Sequence, residues 1–475
     1  MTLYVLVFSA VSMMVLSAFV LWADANMRGV FRDTDRAQAF MTAEAGVEYY
    51  RWHLAHAQSD YKDGTGAAGP YVHQFNDKDG VVIGAFSLDI MPPLTGSTVV
   101  TINSTGTVSA NSAISKIIEA KMAIPSFAKY AAVIGSNVRF GAGTELFGPI
   151  HSNGGIRMDG VAHNLVTSSL GSYDDPDHDD IPNLPDPPEF SVHTHIAPLD
   201  PLPPTTAPNR PDIFMTGRSF SVAPVDFAGI TQDLKDMKDS AIADGFYQAS
   251  TSYPGFEIVF NTDDTFTLYR VDTLVTAPSG CTNSQNQTGW GTWSVNTRLS
   301  LGTHPMPANG IIFVEDDVWV RGQINSARVT VASGRFPDLA STRSSITVSA
   351  DLMYSSYTGT DVIALVAQNN INIGMVSDTD LRVDAALMAQ NGRVGRYYYR
   401  PPGGGSQRCS PYHSRSVITS FGMIASFLRY GFAYTDGTGY ITRTIIYDAN
   451  LLYGPPPSFP LTADFYTPIF WNEKK

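Results

Sequence analysis

The sequence predicts a mostly β protein carried on a long N-terminal, transmembrane α-helix. A small antiparallel sheet follows the helix, then a parallel β-helix-like solenoid with an inserted loop and helix. Three observations predict this. Leu3 to Ala23 runs for 21 residues without a charge. From Gly310 onward, short β-branched runs recur and are closed by Gly, Asn or Asp. Between these regions lie a proline-rich stretch and a single amphipathic helix.

The apolar run comes first. At about 1.5 Å per residue it spans about 30 Å, the hydrocarbon thickness of a bilayer. The chain beyond it has no proline up to Gln58, so residues 1–58 are expected to form one membrane-spanning and stalk helix. Val30, Ala37, Met41, Ala45 and Tyr49 recur at helical spacing and form the expected apolar stripe. Ala23-Asp24-Ala25 could end a cleaved export signal. No Lys or Arg precedes the run, however, and its apolar core exceeds a usual signal core, so a retained anchor is the expectation.

Residues 59–127 read as a small β region. Val81–Ile90 and Ser97–Ala110 are two strands about Pro92-Pro93, and Ile114–Ile124 is a third. Residues 128–172 alternate short apolar pairs with Gly, Asn and Ser, as the first solenoid strands would. Residues 173–224 hold eleven prolines between Pro176 and Pro211, which excludes regular structure there and predicts a surface excursion. Residues 225–300 contain a helix, Val225–Gly245, with the stripe Ile230, Leu234, Met237 and Ala241. A hairpin from Phe256 to Val271 follows it.

The β-helix body is expected over 301–445. Its short runs mostly lack tight hairpin turns, which favours parallel rungs over a meander. Val318, Val329, Ile346, Ile363, Ile371 and Leu387 should stack inward. Asn369, Asn370 and Asn391 should stand at corners and bond their own backbone. Residues 446–475, rich in proline and aromatics, are expected to strap the open end of the solenoid.

Composition narrows the function. Only 16% of the 475 residues are charged, with 40 glycines and 30 prolines, which suits an exported β-rich protein. The formal charge of -13 argues against nucleic acid as a partner. Cys281 and Cys409 are the only cysteines. With an export-like N-terminus they fit one long-range disulfide, while isolated core thiols remain the alternative. Neither has CxxC spacing.

FMTAEAGVEYYRW (40–52) resembles the end of the N-terminal helix of PilX-like proteins of type IV pilus assembly. The phrases GPIHSNGGI, NGIIFVEDDVWVRGQI, VIALVAQNNINI, AALMAQNG and YDANLLYGPPPSFP resemble the β-helical domain found behind such N-termini. The resemblance implies a minor pilin or pilin-like subunit whose Ala43, Glu44, Ala45 and Gly46 belong to an assembly helix. Its implied partners are other pilin subunits, and the inner membrane before assembly. Apart from the resemblance, a surface glycan or protein ligand is expected for the body. Pilins usually carry a basic leader, a phenylalanine and a glutamate at the fifth mature position, where this sequence reads Met1-Thr2-Leu3-Tyr4-Val5. The resemblance then implies either a leader outside this sequence or an atypical member, at a tip or priming position.

Site chemistry is sparse. Asp174, Asp175, Asp177 and Asp179 crowd one loop and are the calcium candidate, without EF-hand spacing. His193 and His195 could ligate zinc, but the sequence points to no third ligand. Tyr397, Tyr398, Tyr399 and Arg400, beside Pro-Pro-Gly-Gly-Gly, form the candidate binding loop, provided they are exposed. Asp316, Asp317, Asp351, Asp378, Asp380 and Asp384 could supply paired carboxylates to a glycan-cutting β-helix enzyme, which is the alternative reading. No hydrolase or nucleotide motif is present, so a non-enzymatic subunit of the cell envelope, with no required cofactor, is the expectation.

Overall fold

The computed structural model describes residues 2–94, 96–175, 187–227, 230–461 and 465–474; the side chains of 230–232 are not described. The chain divides into two units, residues 1–124 with 463–475, and residues 125–462.

In the first unit, helix α1 (Thr2–His56) is one uninterrupted helix of 55 residues. Its first half buries almost nothing: Leu3, Phe8, Leu16 and Trp22 are all more than 60% exposed. Such a surface is stable only in lipid or against other apolar helices. Its last four turns lie on an antiparallel sheet of Tyr71–Asn76, Val82–Met91, Val100–Val108, Asn111–Ala123 and Thr467–Lys474, paired in that order.

The buried helix face is Ala39, Thr42, Ala43, Gly46, Val47, Tyr50 and Leu54. This corrects the expected stripe, since Val30 is 64% and Met41 60% exposed. Small size sets the contact at Ala39, Thr42, Ala43 and Gly46, and apolar bulk sets it further on at Val47, Tyr50 and Leu54. Along Val100–Val108 alternate residues point inward, and Gly106 is one of them. A Cβ on Gly106 would collide with the backbone of Ala39 and Ala43, so helix and strand touch main chain to main chain there. Ala43 and Gly46 of the AEAG segment face the sheet, while Glu44 is exposed.

The second unit is a parallel β-helix with three faces. One face stacks Phe246–Gln248, Ile311–Val314, Arg328–Ser333, Val362–Ala367, Asp380–Ala389 and Ser414–Ser426. It then continues through Ala132–Ile134, Ile150–Ser152, Val166–Ser168 and Arg218–Ser219. Every one of these pairings is parallel. The strands nearest the beginning of this unit therefore stack on those nearest its end. The expected core residues Val318, Val329, Ile346, Ile363, Ile371 and Leu387 are all at most 1% exposed. Val318, Ile346, Ile371 and Val394 are register partners on four successive rungs.

The corner asparagines bond the neighbouring rung rather than their own backbone. Asn370 Oδ1 accepts the Arg393 N–H at 2.9 Å, and Asn391 Nδ2 donates to the Gln368 carbonyl at 2.8 Å. Helix α2 (Ile230–Asp244) covers the outside of the first face, burying Leu234, Met237 and Ala241 near Phe313, Ala332 and Val362. The hairpin is Gly255–Asn261 with Thr265–Leu274, and its first strand is also a rung, parallel to Val318–Ile324.

The expected C-terminal strap needs correction. The segment up to Pro457 lies against the solenoid, where Arg328 donates to the carbonyls of Gly454 (2.7 Å) and Pro455 (2.8 Å). Thr467–Lys474, however, is the fifth strand of the antiparallel sheet. Sequence patterning places a strand there poorly, because Pro468 interrupts the run and the pairing shifts register between Pro468 and Phe470.

Replacing Gly106 with Ala should destabilise the helix-and-sheet unit by about 1–3 kcal/mol, through overpacking against α1. Gly29→Ala, where nothing lies within 4 Å, should not. Thermal unfolding of the full chain in detergent checks both.

Candidate functional site

The second face of the β-helix is broken. It runs through Val318–Ile324, Ile346–Val348, Ile371–Ile373 and Val394–Arg396, and ends at a bridge between Gly395 and Gly431. It resumes as a separate three-stranded sheet of Val138–Phe140, Ile156–Met158 and Val192–His193. A cleft of about 720 Å³ lies at this break, lined from one side by Arg139 and Phe140 and from the other by Arg393 and residues 428–434. That volume suits a ligand rather than a solvent gap.

The floor of the cleft is apolar. Tyr430 packs on Phe140 at 5.6 Å and on Phe432 at 4.9 Å between ring centres. The walls add four guanidinium groups, from Arg139, Arg393, Arg429 and Arg443, and no Asp or Glu is among the lining residues. These cations are also bonded within the protein, Arg393 through its guanidinium to the Arg396 carbonyl at 3.2 Å. Arg443 donates to the carbonyls of Tyr440 and Ile441, each at 2.7 Å, and Arg139 pairs with Asp159 at 3.0 Å. Arg393 lies over the Tyr397 ring at 4.7 Å, and Arg429 is exposed. At the rim, Asp436 accepts the Tyr398 hydroxyl at 2.7 Å. The cleft thus carries positive charge and aromatic walls in a chain of net charge -13. Sequence reasoning missed it, because Arg139 lies more than 250 residues before the other three arginines in the chain.

The tyrosine run is placed differently from the expectation. Tyr397 is 2% and Tyr399 1% exposed, packed with Met375 beside the Cys281–Cys409 disulfide. Tyr397 donates to the Thr288 carbonyl at 3.2 Å and Tyr399 to that of Gly291 at 2.8 Å. Exposure is left only in part, to Tyr398 and Arg400. Behind this loop Arg396 is fully buried. It donates to the carbonyls of Gly374 (3.2 Å), Met375 (2.9 Å) and Tyr412 (2.5 Å), with its guanidinium over the Tyr399 ring. Burial pulls it down to about 10, against the opposing pull of Tyr399 and Tyr440.

The acidic loop and the histidine pair meet in part. Asp175, His193 and His195 offer ligand atoms that all lie within 4.8 Å of one another. Asp174 is exposed and away from this group, and Asp177 and Asp179 lie outside the described residues. A metal ion fits the Asp and two His residues, but two imidazoles and one carboxylate are not a calcium donor set, which is oxygen-based. His151, fully buried, bonds Thr167 at 2.9 Å and Asn153 at 3.2 Å, and burial lowers its pKa.

The solenoid aspartates tie rungs together. Asp316 pairs with Arg335 and accepts the Thr251 N–H at 3.0 Å, and Asp317 accepts that of Ser345 at 2.7 Å. Asp351 accepts the Arg382 N–H at 2.8 Å, and Asp378 that of Asp351 at 3.2 Å. Asp384, fully buried, takes the Tyr357 hydroxyl at 2.6 Å and Arg382 Nε at 2.9 Å. Asp380 is exposed at its strand start. These contacts identify no catalytic pair among the described residues.

The fold and these sites define a single-pass membrane protein with a large exported body and a helix-on-sheet first unit. No protein family and no curated protein matches the chain. Among solved structures the chain is similar to the competence-associated pilin ComZ from Thermus thermophilus, at 13% identity and a TM-score of 0.33, over 93% of this chain and 98% of that one. At that identity and score the likeness assigns no family.

Desolvation at its rung corner pushes the Asp317 carboxyl up to about 6, against the lowering by Ser345 and Arg335. A raised carboxyl pKa favours the folded state while the group is protonated, and this contribution is lost as pH rises through about 6. The Tm of Asp317→Asn relative to the unsubstituted chain should therefore increase between pH 4.5 and pH 6.5, as read by thermal unfolding at both values.

Proposed function

We propose that this protein is a non-enzymatic pilin-like subunit, a minor or tip component of a type IV pilus or related filament. One observation carries the reading. The exposed apolar half of α1 continues without a break into a half packed on a sheet through Ala43, Gly46 and Gly106. A simple anchor needs no such rigid continuation. A subunit that must leave lipid and enter a filament core does, because the same apolar surface then serves against neighbouring helices. Ser9, Ala10, Ser12, Ser17 and Ala18 supply the small residues such helix contacts favour. A body of stacked rungs is hard to repeat along a shaft, which favours a tip or priming position.

The body would then do the contacting, and the arginine-lined cleft is the part suited to it. Guanidinium groups pair with carboxylates, and aromatic walls stack on sugar faces, so an acidic surface glycan is the fitting ligand. The residues that would hold it are Arg393, Arg429, Tyr434 and Gln287, all of which line the cleft.

Two measurements test this reading. Filaments sheared from cells should carry the protein, and Leu16→Glu should remove it from them while leaving the body folded. Recovery only in the membrane fraction, or equal recovery of the variant, would sink the assembly role. In calorimetry, oligogalacturonate should bind the full chain, and Arg429→Glu should weaken it about tenfold, the loss of one charge-assisted contact. Equal binding of a neutral oligosaccharide would remove the cleft from the account.

A further inference from the structure

We propose that Asp175, His193 and His195 form a binding site for a nitrogen-preferring divalent metal ion of the zinc class. Ser172–Tyr173 pairs antiparallel with Glu189–Phe190, which brings Asp175, two residues beyond the first strand, near His193 and His195, which follow the second. His193 is in turn held in the solenoid, because Val192–His193 is a parallel rung beside Ile156–Met158.

The imidazole of His193 is oriented as a ligand. Its Nδ1 lies 3.1 Å from the Phe190 carbonyl, which can only accept, so Nδ1 carries the proton of that contact and Nε2 is the atom turned toward Asp175. This backbone-held orientation is the usual outer support of a metal-bound histidine. His193 is 2% exposed, and its Nε2 makes no hydrogen bond. It stands 3.4 Å from Asp175 Oδ2. That distance is long for a charge-assisted hydrogen bond, which closes to about 2.7–2.9 Å. It matches the edge of a tetrahedron around zinc, whose bonds of about 2.0–2.1 Å place neighbouring ligand atoms about 3.4 Å apart. The His195 ring lies 5.0 Å from that of His193, and its ligand atom lies within 4.8 Å of the other two.

The surroundings accept the charge. Arg157 is the nearest cation, with NH1 3.5 Å from Asp175 Oδ2, but its Nε is committed to Asp159 at 2.8 Å. Asp159 also takes Arg139 at 3.0 Å, and the buried Glu189 accepts the Asp175 N–H at 3.2 Å. Asp175, Asp159 and Glu189 thus stand with Arg157, Arg139 and, within electrostatic reach of the adjoining Tyr173, Arg429. A cavity of about 50 Å³ adjoins His193 and His195, leaving room for a water as fourth ligand. Asp200, which also lines it, is held by Arg218 at 2.6 Å.

The full chain, stripped with chelator and titrated against a chromophoric zinc indicator, should take up about one equivalent of zinc. Cobalt(II) in its place should show the intense visible bands of a tetrahedral site. Asp175→Asn and His195→Gln, chosen because neither empties the core, should each lower zinc affinity at least about tenfold with circular dichroism unchanged. Calcium in excess should not displace zinc. Absence of zinc uptake by the unsubstituted chain, or uptake undiminished in both variants, would overturn the proposal.

Discussion

Parallel stacking governs this molecule. A single rung of two or three short strands has no core of its own, so each turn is stable only when its inward side chains meet those above and below. Val318, Ile346, Ile371 and Val394 do this on one face, and Val329 and Ile363 on another. Everything else in the body is arranged around keeping that stack in register. Corner asparagines and aspartates bond the backbone of the next rung, α2 seals one outer face, and the disulfide ties two loops beside another. Disulfides persist outside reducing compartments, which agrees with a body exported behind its membrane helix.

The cleft follows from the same constraint where it fails. Two faces continue through the whole stack, while the second stops at Gly431 and restarts at Val138. Where strands do not pair, backbone groups must find other partners. Here Arg443 serves that purpose by donating to several carbonyls at once. The guanidiniums that hold the broken face together also make it positively charged.

Periodicity made the large features legible: the charge-free helix, the inward ladder and the stripe of α2 all follow from spacing. What it could not supply was pairing between distant segments. The stripe of the stalk helix was misjudged because hydrophobicity was read as the contact face, whereas Ala43 and Gly46 are there for their small size. Thr467–Lys474 reads as part of a tail, since its partner strand is more than 300 residues earlier. His193 and His195 were visible as a pair, and Asp175 as one acid among several. Only the neck formed by Ser172–Tyr173 and Glu189–Phe190 brings them together. Tyr397 to Tyr399 looked like a sticky exposed surface because sequence carries no sign of the loops that bury them.

The position of residues 132–168 in the stack has a consequence for how the chain comes to be folded. These strands are made early, yet one side of them is completed only by Ser414–Ser426 and Gly439–Tyr447, which are made near the end. The order of stacking is a permutation of the order of synthesis, with the early strands placed after the late ones. Through most of its translation the body therefore holds an unfilled edge of unpaired backbone, the kind of edge that recruits foreign strands. Entry and exit of the chain are then latched together, with Phe127 donating to the Pro460 carbonyl at 2.9 Å. The last rungs to be made are the ones that cover the first.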